Sequence, residues 1–283
     1  MAHKPLIGLV MKSLQAEFFQ EMKKGALAFA RNHNNFNLIA VGTSNQIEIE
    51  IQIQLIDTLI KQKVDALVVV PIDSRALVPV VVNAVKAGIK VINIDIKLEE
   101  KLLQENGVQL TYVGPDNLTA SQMVGNVLAK KLNPGSKVIL IEGFKVAENA
   151  RQRKQGFLKS IADHRLHLVA SEAADWETDK AEQVFERLIV QNPDVEGVMC
   201  SNDAMAIGVI KVLEKHGKAG KVLVVGFDND ASVQPLLKSG SLLATIDAFG
   251  SQMAVQGIEY ALKVLGGMEN KGSYTTDFKL IIR

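Results

Sequence analysis

The chain has 283 residues, 47% hydrophobic and 22% charged, and its 32 lysine and arginine residues nearly balance its 31 aspartate and glutamate residues. This length allows two lobes with separate cores, and the balanced charge gives no reason to expect nucleic acid or an anionic membrane as a partner. The single cysteine, Cys200, excludes an intramolecular disulfide, and no apolar run is long enough for stable membrane insertion. The first residues lack the pattern of an export signal, so we expect any such signal to be absent from this chain.

Ten short apolar runs alternate with longer segments of helical periodicity. The runs predict strands at 6–11, 36–41, 64–70, 89–94, 110–114, 137–143, 166–171, 195–200, 221–227 and 242–246. Amphipathic segments between them, such as 17–33 and 120–132, predict helices. Repeated β-α-β order favours right-handed crossovers in a doubly wound parallel sheet, and ten strands exceed one ordinary sheet. The sequence therefore predicts an α/β fold of two similar doubly wound parallel-sheet lobes.

Polar side chains follow two of the predicted strands within the segment 198–231. Asn202 and Asp203 come after one strand, and Asp228 comes after the next. Because ligands of open parallel sheets bind beyond the carboxyl ends of the strands, Asn202 and Asp228 are candidate ligand-binding residues. Buried carboxylates and amides need partners, which favours a ligand rich in hydroxyl groups. Alternatively, Asn202 or Asp203 caps the helix that follows.

Eight motifs occur in a fixed order along almost the whole chain. They are IGLVMKSLQAEFFQEMKKGA near the start, VVPIDS at 69–74, VINIDIK at 91–97, YVGPDN at 112–117, ARQRKQGF at 150–157, NPDVEGVMCSNDAMAIG at 192–208, VVGFDND at 224–230 and ATID at 244–247. In this order and spacing the chain resembles the type I periplasmic sugar-binding proteins, and among them the ribose-binding and galactose-binding proteins. The resemblance implies two lobes, joined by three hinge crossings, that close over one ligand.

The family pattern also implies a domain division and a cellular role. Residues 1–114 and 249–277 would form the amino-terminal lobe, and residues 115–248 and 278–283 the carboxy-terminal lobe. The protein would be a monomeric solute-binding receptor of an ABC-type transporter, periplasmic or extracellular, that captures a small carbohydrate or polyol. Its closed form would dock to an ABC permease or to a chemoreceptor.

Three aromatic residues occupy places where the family sandwiches the sugar ring. They are Phe18 and Phe19 at the start of the first predicted helix and Trp176 in a loop-like segment. Stacking suits sugars because their C–H faces are apolar while their rims are polar. For the two phenylalanines the alternative is packing under the helix, and we expect at least one of them to belong to the core.

The resemblance assigns sugar hydroxyl groups to four polar residues, which are Asp95, Arg151, Asn202 and Asp228. Charge-assisted hydrogen bonds of this kind distinguish a hydroxyl group from its absence. The alternative for Arg151 is a solvated charge at a helix end. Arg151 is favoured over Arg153, which would point elsewhere on the helix surface.

Five positions depart from the ribose-type pocket, namely Lys12, Ala16, Val70, Ile96 and Ala248. Ribose-binding relatives have a small hydroxyl residue, two asparagines, an arginine and a glutamine there. These changes make ribose itself doubtful and favour a smaller, deoxygenated or branched ligand such as a polyol. Lys12 is a candidate for binding a carbonyl, a carboxylate or a ring oxygen, or else is a solvated edge residue with its stem packed on the strand.

The sequence lacks the motifs of common enzymes: it has no G-x-S-x-G elbow, no phosphate-binding loop and no dinucleotide fingerprint after the first strand. We therefore expect no enzymatic activity, no cofactor and no metal site. Two alternatives share the expected fold, the effector domain of a lactose-repressor-like transcription regulator and an extracellular sensor domain. The first needs an amino-terminal helix-turn-helix, for which the strand beginning at Leu6 leaves no room.

Overall fold

A computed structural model describes residues 4–282, which divide into two compact units. Unit 1 extends to Pro115 and includes Val146–Glu148 and Phe249–Thr276. Unit 2 contains Asp116–Lys145, Asn149–Ala248 and the segment from Asp277 onward. No helix in the described range is long and apolar enough to cross a membrane.

The strands are short and follow the apolar runs of the sequence. They are β1 Leu6–Met11, β2 Asn37–Gly42, β3 Ala66–Val69, β4 Lys90–Ile94, β5 Thr111–Pro115, β6 Lys137–Glu142, β7 His167–Ala173, β8 Gly197–Cys200, β9 Leu223–Val225, β10 Ala244–Asp247, β11 Ser273–Thr276 and β12 Lys279–Ile282. All residues of β3 and β8 are buried. Continuous apolar runs of this kind are typical of parallel strands covered by helices on both faces.

The helices connect successive strands. They are α1 Glu17–His33, α2 Ile49–Lys61, α3 Val78–Lys86, α4 Glu100–Glu105, α5 Asn117–Ala129, α6 Glu148–Asp163, α7 Thr178–Gln191, α8 Asp203–Lys215, α9 Gln234–Ser239 and α10 Gly250–Leu265, with a 3₁₀ turn at Ala231–Val233. Helix α1 shows how the sequence orients them: Phe19, Met22 and Ala26 lie on one face and are buried. The Asp116 carboxylate caps α5 by accepting a 2.9 Å hydrogen bond from the Thr119 N–H.

Each unit contains one six-stranded sheet with the same pattern of connections. The order is β11-β5-β4-β3-β1-β2 in unit 1 and β12-β10-β9-β8-β6-β7 in unit 2. Strands β4 and β9 therefore hold equivalent positions. The predicted fold class is confirmed, with two differences: the edge strands β11 and β12 were not predicted, and β12 pairs antiparallel with β10. Each has only four residues: β11 is polar and mostly exposed, and the apolar run of β12 is three residues long, too short to indicate a strand.

Candidate functional site

In unit 1, Lys12 follows the end of β1 and is buried, with 2% of its surface exposed. Its Nζ lies 5.7 Å from the centroid of the Phe19 ring, within the range of a cation–π interaction. Lys12 is therefore not a solvated edge residue, and that alternative is wrong. An ammonium group buried at the carboxyl end of a strand can donate hydrogen bonds to an oxygen-rich ligand.

The two phenylalanines of α1 lie edge to face, with ring centroids 5.1 Å apart. Phe19 is buried, as expected for at least one of the pair, whereas Phe18 is half-buried. Phe18 packs against Gly250, where an added Cβ would lie 2.9 Å from the ring. Phe18 and Phe19 thus supply an aromatic surface beside the end of β1.

Asp95 follows the end of β4, and its backbone has a left-handed conformation with φ of 63°. Its N–H donates to the Val113 carbonyl at 2.9 Å, and its own carbonyl accepts a 2.9 Å hydrogen bond from the Tyr112 hydroxyl. These two bonds fix the direction in which the buried Asp95 carboxylate leaves the strand. Ile96, which follows it in the chain, and Val113, to which its N–H donates in the neighbouring strand, are both apolar and buried.

In unit 2, Arg153 on α6 is the arginine that reaches the carboxyl ends of the strands. It is 3% exposed. Its Nε donates to the Asn117 Oδ1 at 2.9 Å, and its Nη1 donates to the Ser201 carbonyl at 2.8 Å and to the Asp228 Oδ1 at 3.3 Å. The expectation that Arg153 points away to the helix surface is therefore wrong.

Arg151, the predicted ligand residue, is half-buried, and its Nη1 donates to the Lys145 carbonyl at 3.3 Å. Residues two apart on a helix lie on roughly opposite faces, so only one of these two arginines can face the sheet. The spacing in the sequence shows that the two arginines lie on different faces of the helix. It does not show which of these faces packs against the sheet. A sugar contact by Arg151 stays a prediction.

Two aromatic rings flank the Arg153 guanidinium group. Its carbon lies 3.5 Å from the centroid of the Phe227 ring and 5.5 Å from that of the Trp176 ring. Trp176 is buried and has a left-handed backbone with φ of 72°. Its indole lies against Gly143, where an added Cβ would overlap the ring. A side chain at position 143 would displace the indole, so Trp176 can take this position only because residue 143 is glycine.

Asn202, rather than Asp203, caps α8. Its Oδ1 accepts a 3.0 Å hydrogen bond from the Met205 N–H, and its Nδ2 lies 3.3 Å from the Trp176 carbonyl. Capping and ligand binding were alternatives for this residue, and its position at the end of β8 allows both. Asp203 occupies the first position of the helix.

Asp203 is fully buried and accepts hydrogen bonds from the Thr245 hydroxyl at 2.8 Å and from the Asp230 N–H at 3.0 Å. Burial raises the pKa of its carboxyl group well above the ordinary range, and the negative charge of Asp228 raises it further. Asp228 itself follows β9, has φ of 110° and donates its N–H to the Ile246 carbonyl at 2.7 Å.

Three residues at this edge of unit 2 were missed by the sequence analysis as candidates, which are Asn117, Arg153 and Phe227. Phe227 ends an apolar run, so the sequence predicts that it belongs to the strand at 221–227. Asn117 lies in the YVGPDN motif, and Arg153 lies in the ARQRKQGF motif. Both motifs therefore indicate the right part of the chain, but the sequence does not show that Asn117 and Arg153 are the residues that lie at the strand ends. Within residues 4–282, no group of three histidine, cysteine, aspartate or glutamate side chains is placed to hold a metal ion.

The strand ends of unit 2 present a carboxylate, a guanidinium group, an amide and aromatic rings, and those of unit 1, taken separately, present a carboxylate, an ammonium group and aromatic rings. This is the chemistry of a binding site for a small hydroxylated molecule. The chain belongs to the periplasmic binding protein family: a family model described as "Periplasmic binding protein domain" matches residues 7–269. The resemblance found in the motifs is thereby confirmed.

Its relatives are solute-binding proteins of ABC transporters and not enzymes, and this chain is one of them. It is 40% identical to a D-ribose/D-allose-binding protein of Pseudomonas aeruginosa over 98% of this chain and 89% of that protein. It is 33% identical to the ribose import binding protein of Salmonella typhimurium over 99% of this chain and 91% of that protein.

Two solved structures show the same fold. One is an ABC transporter solute-binding protein from Burkholderia multivorans, with a TM-score of 0.97, 39% identity and coverage of 99% of this chain and 100% of that chain. Its unknown ligand is represented as α-D-erythrofuranose. The other, from Actinobacillus succinogenes with bound D-allose, has a TM-score of 0.92, 35% identity and coverage of 99% and 98%.

Proposed function

We propose that this protein binds one small monosaccharide, deoxysugar or polyol and delivers it to an ABC-type importer in the periplasm. The observation that carries the proposal is the Arg153 group of unit 2. A buried guanidinium is held there by Asp228 and Asn117, with Phe227 and Trp176 beside it. The rings suit the apolar C–H face of a sugar, and the charged groups suit its hydroxyl rim.

Unit 1 adds a second group of contacts, with Lys12 and Asp95 as hydrogen-bonding residues and Phe18 as a stacking surface. We propose that these residues of unit 1 are sugar contacts. Support comes from the position of Asp95, which follows the strand of unit 1 equivalent to the one that Asp228 follows in unit 2. Asn202 and Arg151 are further proposed contacts in unit 2.

The proposed ligand has fewer hydroxyl groups than ribose has, as judged from two residues of unit 1, Val70 and Ile96, and one of unit 2, Ala248. Val70, Ile96 and Ala248 are buried and apolar, and cannot accept or donate hydrogen bonds through their side chains. Leaving a sugar hydroxyl without a partner in a buried site costs about 1–3 kcal/mol. The erythrofuranose of the Burkholderia multivorans structure is consistent with a small ligand, since its protein is 39% identical to this chain.

Binding would act by population shift. A ligand favours the conformation of the protein that binds it more tightly, by as much as its affinities for the two conformations differ. The importer would then recognise that liganded conformation. Residues of unit 2 would supply most of the affinity, because the charged groups and rings are concentrated there.

A thermal-shift and calorimetric screen tests the ligand class. The panel contains D-ribose, D-allose, D-erythrose, deoxysugars and short polyols, with nucleotides, nucleobases and amino acids as controls. A ligand at one hundred times its Kd should add about 2.7 kcal/mol to the free energy of unfolding. Stabilisation by amino acids or nucleobases and by no carbohydrate or polyol would contradict the proposal.

The departures from the ribose-type pocket can be tested by reversing them. The triple variant Lys12→Ser, Ile96→Arg, Ala248→Gln should weaken binding of the best ligand of the screen and move preference toward a fully hydroxylated pentose. Calorimetry with D-ribose measures the change. Tight binding of D-ribose by the unaltered protein would show that these residues do not exclude it.

A further inference from the structure

The loop after β9 has two consecutive residues in the left-handed backbone region, Asp228 with φ of 110° and Asn229 with φ of 56°. Non-glycine residues in such sparsely populated regions cost about 1–3 kcal/mol each, and they persist only where the surroundings hold them. The conformation matters because it directs the Asp228 carboxylate toward Arg153. Something in unit 2 must therefore stabilise this loop.

Asp203 contacts the loop on both sides of Asp228. Its N–H donates to the Phe227 carbonyl at 2.7 Å, and its Oδ2 accepts from the Asp230 N–H at 3.0 Å. Its Oδ1 accepts from the Thr245 hydroxyl at 2.8 Å, and the same Thr245 oxygen accepts from the Asn229 N–H at 3.3 Å. Asp203 thus holds the loop on both sides of Asp228: its backbone N–H binds Phe227, and its carboxylate binds Asp230 directly and Asn229 through Thr245.

The Asp203 carboxyl group is tightly packed against the backbone at Gly226. An added Cβ at Gly226 would overlap the Asp203 Oδ1, so the strand can pass this close only because position 226 is glycine. Asp203 has no exposed surface, which excludes it as a ligand contact in this structure. Retaining a buried acid whose pKa is raised by burial is costly, and its hydrogen bonds to the loop offset that cost.

We propose that Asp203 is a positioning residue: it fixes the 227–230 loop so that Asp228 and Arg153 are arranged to bind sugar. The inference rests on the proposed function, because it requires Asp228 to be a sugar contact. Both carboxyl oxygens take part, one toward Asp230 and one toward Thr245. An asparagine can keep the Asp230 bond and turn its amide toward the Thr245 oxygen, whereas an alanine keeps neither.

The test compares Asp203→Ala, Asp203→Asn and Thr245→Val with Val138→Ala. The last is a matched control, since Val138 is buried at the opposite, amino end of β6 in the same unit. Hydrogen–deuterium exchange of the unliganded proteins reports the conformation of the loop, and calorimetry with D-erythrose, D-ribose and D-allose reports affinity. Asp203→Ala should speed exchange at Asn229 and Asp230 and raise the Kd by about tenfold or more, equivalent to about 1.4 kcal/mol.

The variants should rank in a defined order. Asp203→Asn should have most of the wild-type affinity. Thr245→Val should raise the Kd by about threefold, because it removes the hydrogen bond to Asp203 Oδ1 and leaves the one to Asp203 Oδ2. Val138→Ala should lower the free energy of unfolding without changing loop exchange. If Asp203→Ala does not fold, the loop exchange and affinity of Asp203→Asn and Thr245→Val decide. Unchanged loop exchange in every Asp203 and Thr245 variant overturns the proposal, and so does faster exchange with wild-type affinity. A wild-type protein that binds no carbohydrate or polyol of the screening panel contradicts the ligand proposal instead, and the exchange data then decide whether Asp203 holds the loop.

Discussion

Asp95 in unit 1 and Asp228 in unit 2 occupy the same place in two sheets of the same order. Asp95 follows β4 and Asp228 follows β9, which are the third strands in the spatial order of their sheets. Each residue has a positive φ and donates its N–H to a carbonyl of the neighbouring strand. Their surroundings differ. Asp228 pairs with a buried arginine, whereas Asp95 is followed by the buried apolar Ile96 and is held by a tyrosine hydroxyl bonded to its backbone.

The comparison shows that the sheet topology sets the backbone geometry at this point, while the neighbouring side chains set the chemistry. Unit 2 concentrates charge and aromatic rings around Asp228. In unit 1 the acid Asp95 is followed by the apolar Ile96, and the cation Lys12 follows a different strand, β1. We therefore expect unit 2 to determine most of the affinity and unit 1 to determine which sugar is accepted.

The largest effect is expected from Arg153→Ala. It removes the hydrogen bonds to Asn117 and Ser201 and leaves the Asp228 carboxylate without this counter-charge, and breaking a buried pair costs about 3–5 kcal/mol. Urea unfolding and sugar calorimetry should both show the loss. Arg151→Ala is the matched control two residues away, with a smaller loss of stability because its side chain is only half-buried. Equal losses of unfolding free energy in the two variants would contradict the structural role of Arg153, whereas the sugar affinity of Arg151→Ala tests the proposed contact of Arg151.

Asp228→Ala and Asp95→Ala compare the two equivalent positions directly. Each should weaken sugar binding by about 1.5–3 kcal/mol, the scale of a hydrogen bond to a charged group. Asp228→Ala should also lower the free energy of unfolding, because it leaves Arg153 without its carboxylate partner. Wild-type affinity in either variant would remove that residue from the site, and a larger effect at Asp95 would reverse the comparison.

Tyr112→Phe should have a smaller effect, confined to unit 1. It removes the hydroxyl that donates to the Asp95 carbonyl at 2.9 Å and leaves the ring in place. The expected loss of sugar affinity is about 0.5–1.5 kcal/mol, the contribution of one neutral hydrogen bond. Calorimetry in the Asp95→Ala background is the control, where the same change should have little further effect. Full additivity there would show that Tyr112 does not act through Asp95.

The smallest effect is a pH dependence of stability that belongs to unit 2. The folded-state pKa of Asp203 is raised above its unfolded value, so its contribution to stability is fully present below the unfolded pKa of about 3.9 and is lost as the pH rises through the raised folded pKa. Asp203→Asn does not titrate there. The unfolding free energy of the wild type should therefore fall relative to that of Asp203→Asn as the pH rises. Urea unfolding at a series of pH values measures this, and a flat difference contradicts it.

The sequence by itself determined the fold class, the family and the strand ends at which polar residues gather. The physical reason is that buried parallel strands need continuous apolar runs, and such runs are visible in a local window. The ends of the runs then mark Asp95, Asn202 and Asp228 without any knowledge of distant contacts. The edge strand β11 has no apolar run, and that of β12 is only three residues long, too short to give such a signal.

Only the tertiary structure decided between neighbouring candidates. Arg151 and Arg153 have similar local sequence, and the direction of the sheet from α6 determines that Arg153 is the buried one. Asn202 and Asp203 are both good helix caps, and the position of Asp230 and Thr245 gives Asp203 its other partners. Those partners lie 27 and 42 residues away in the chain. Contacts over such separations depend on how strands and helices pack, which no local pattern of residues contains.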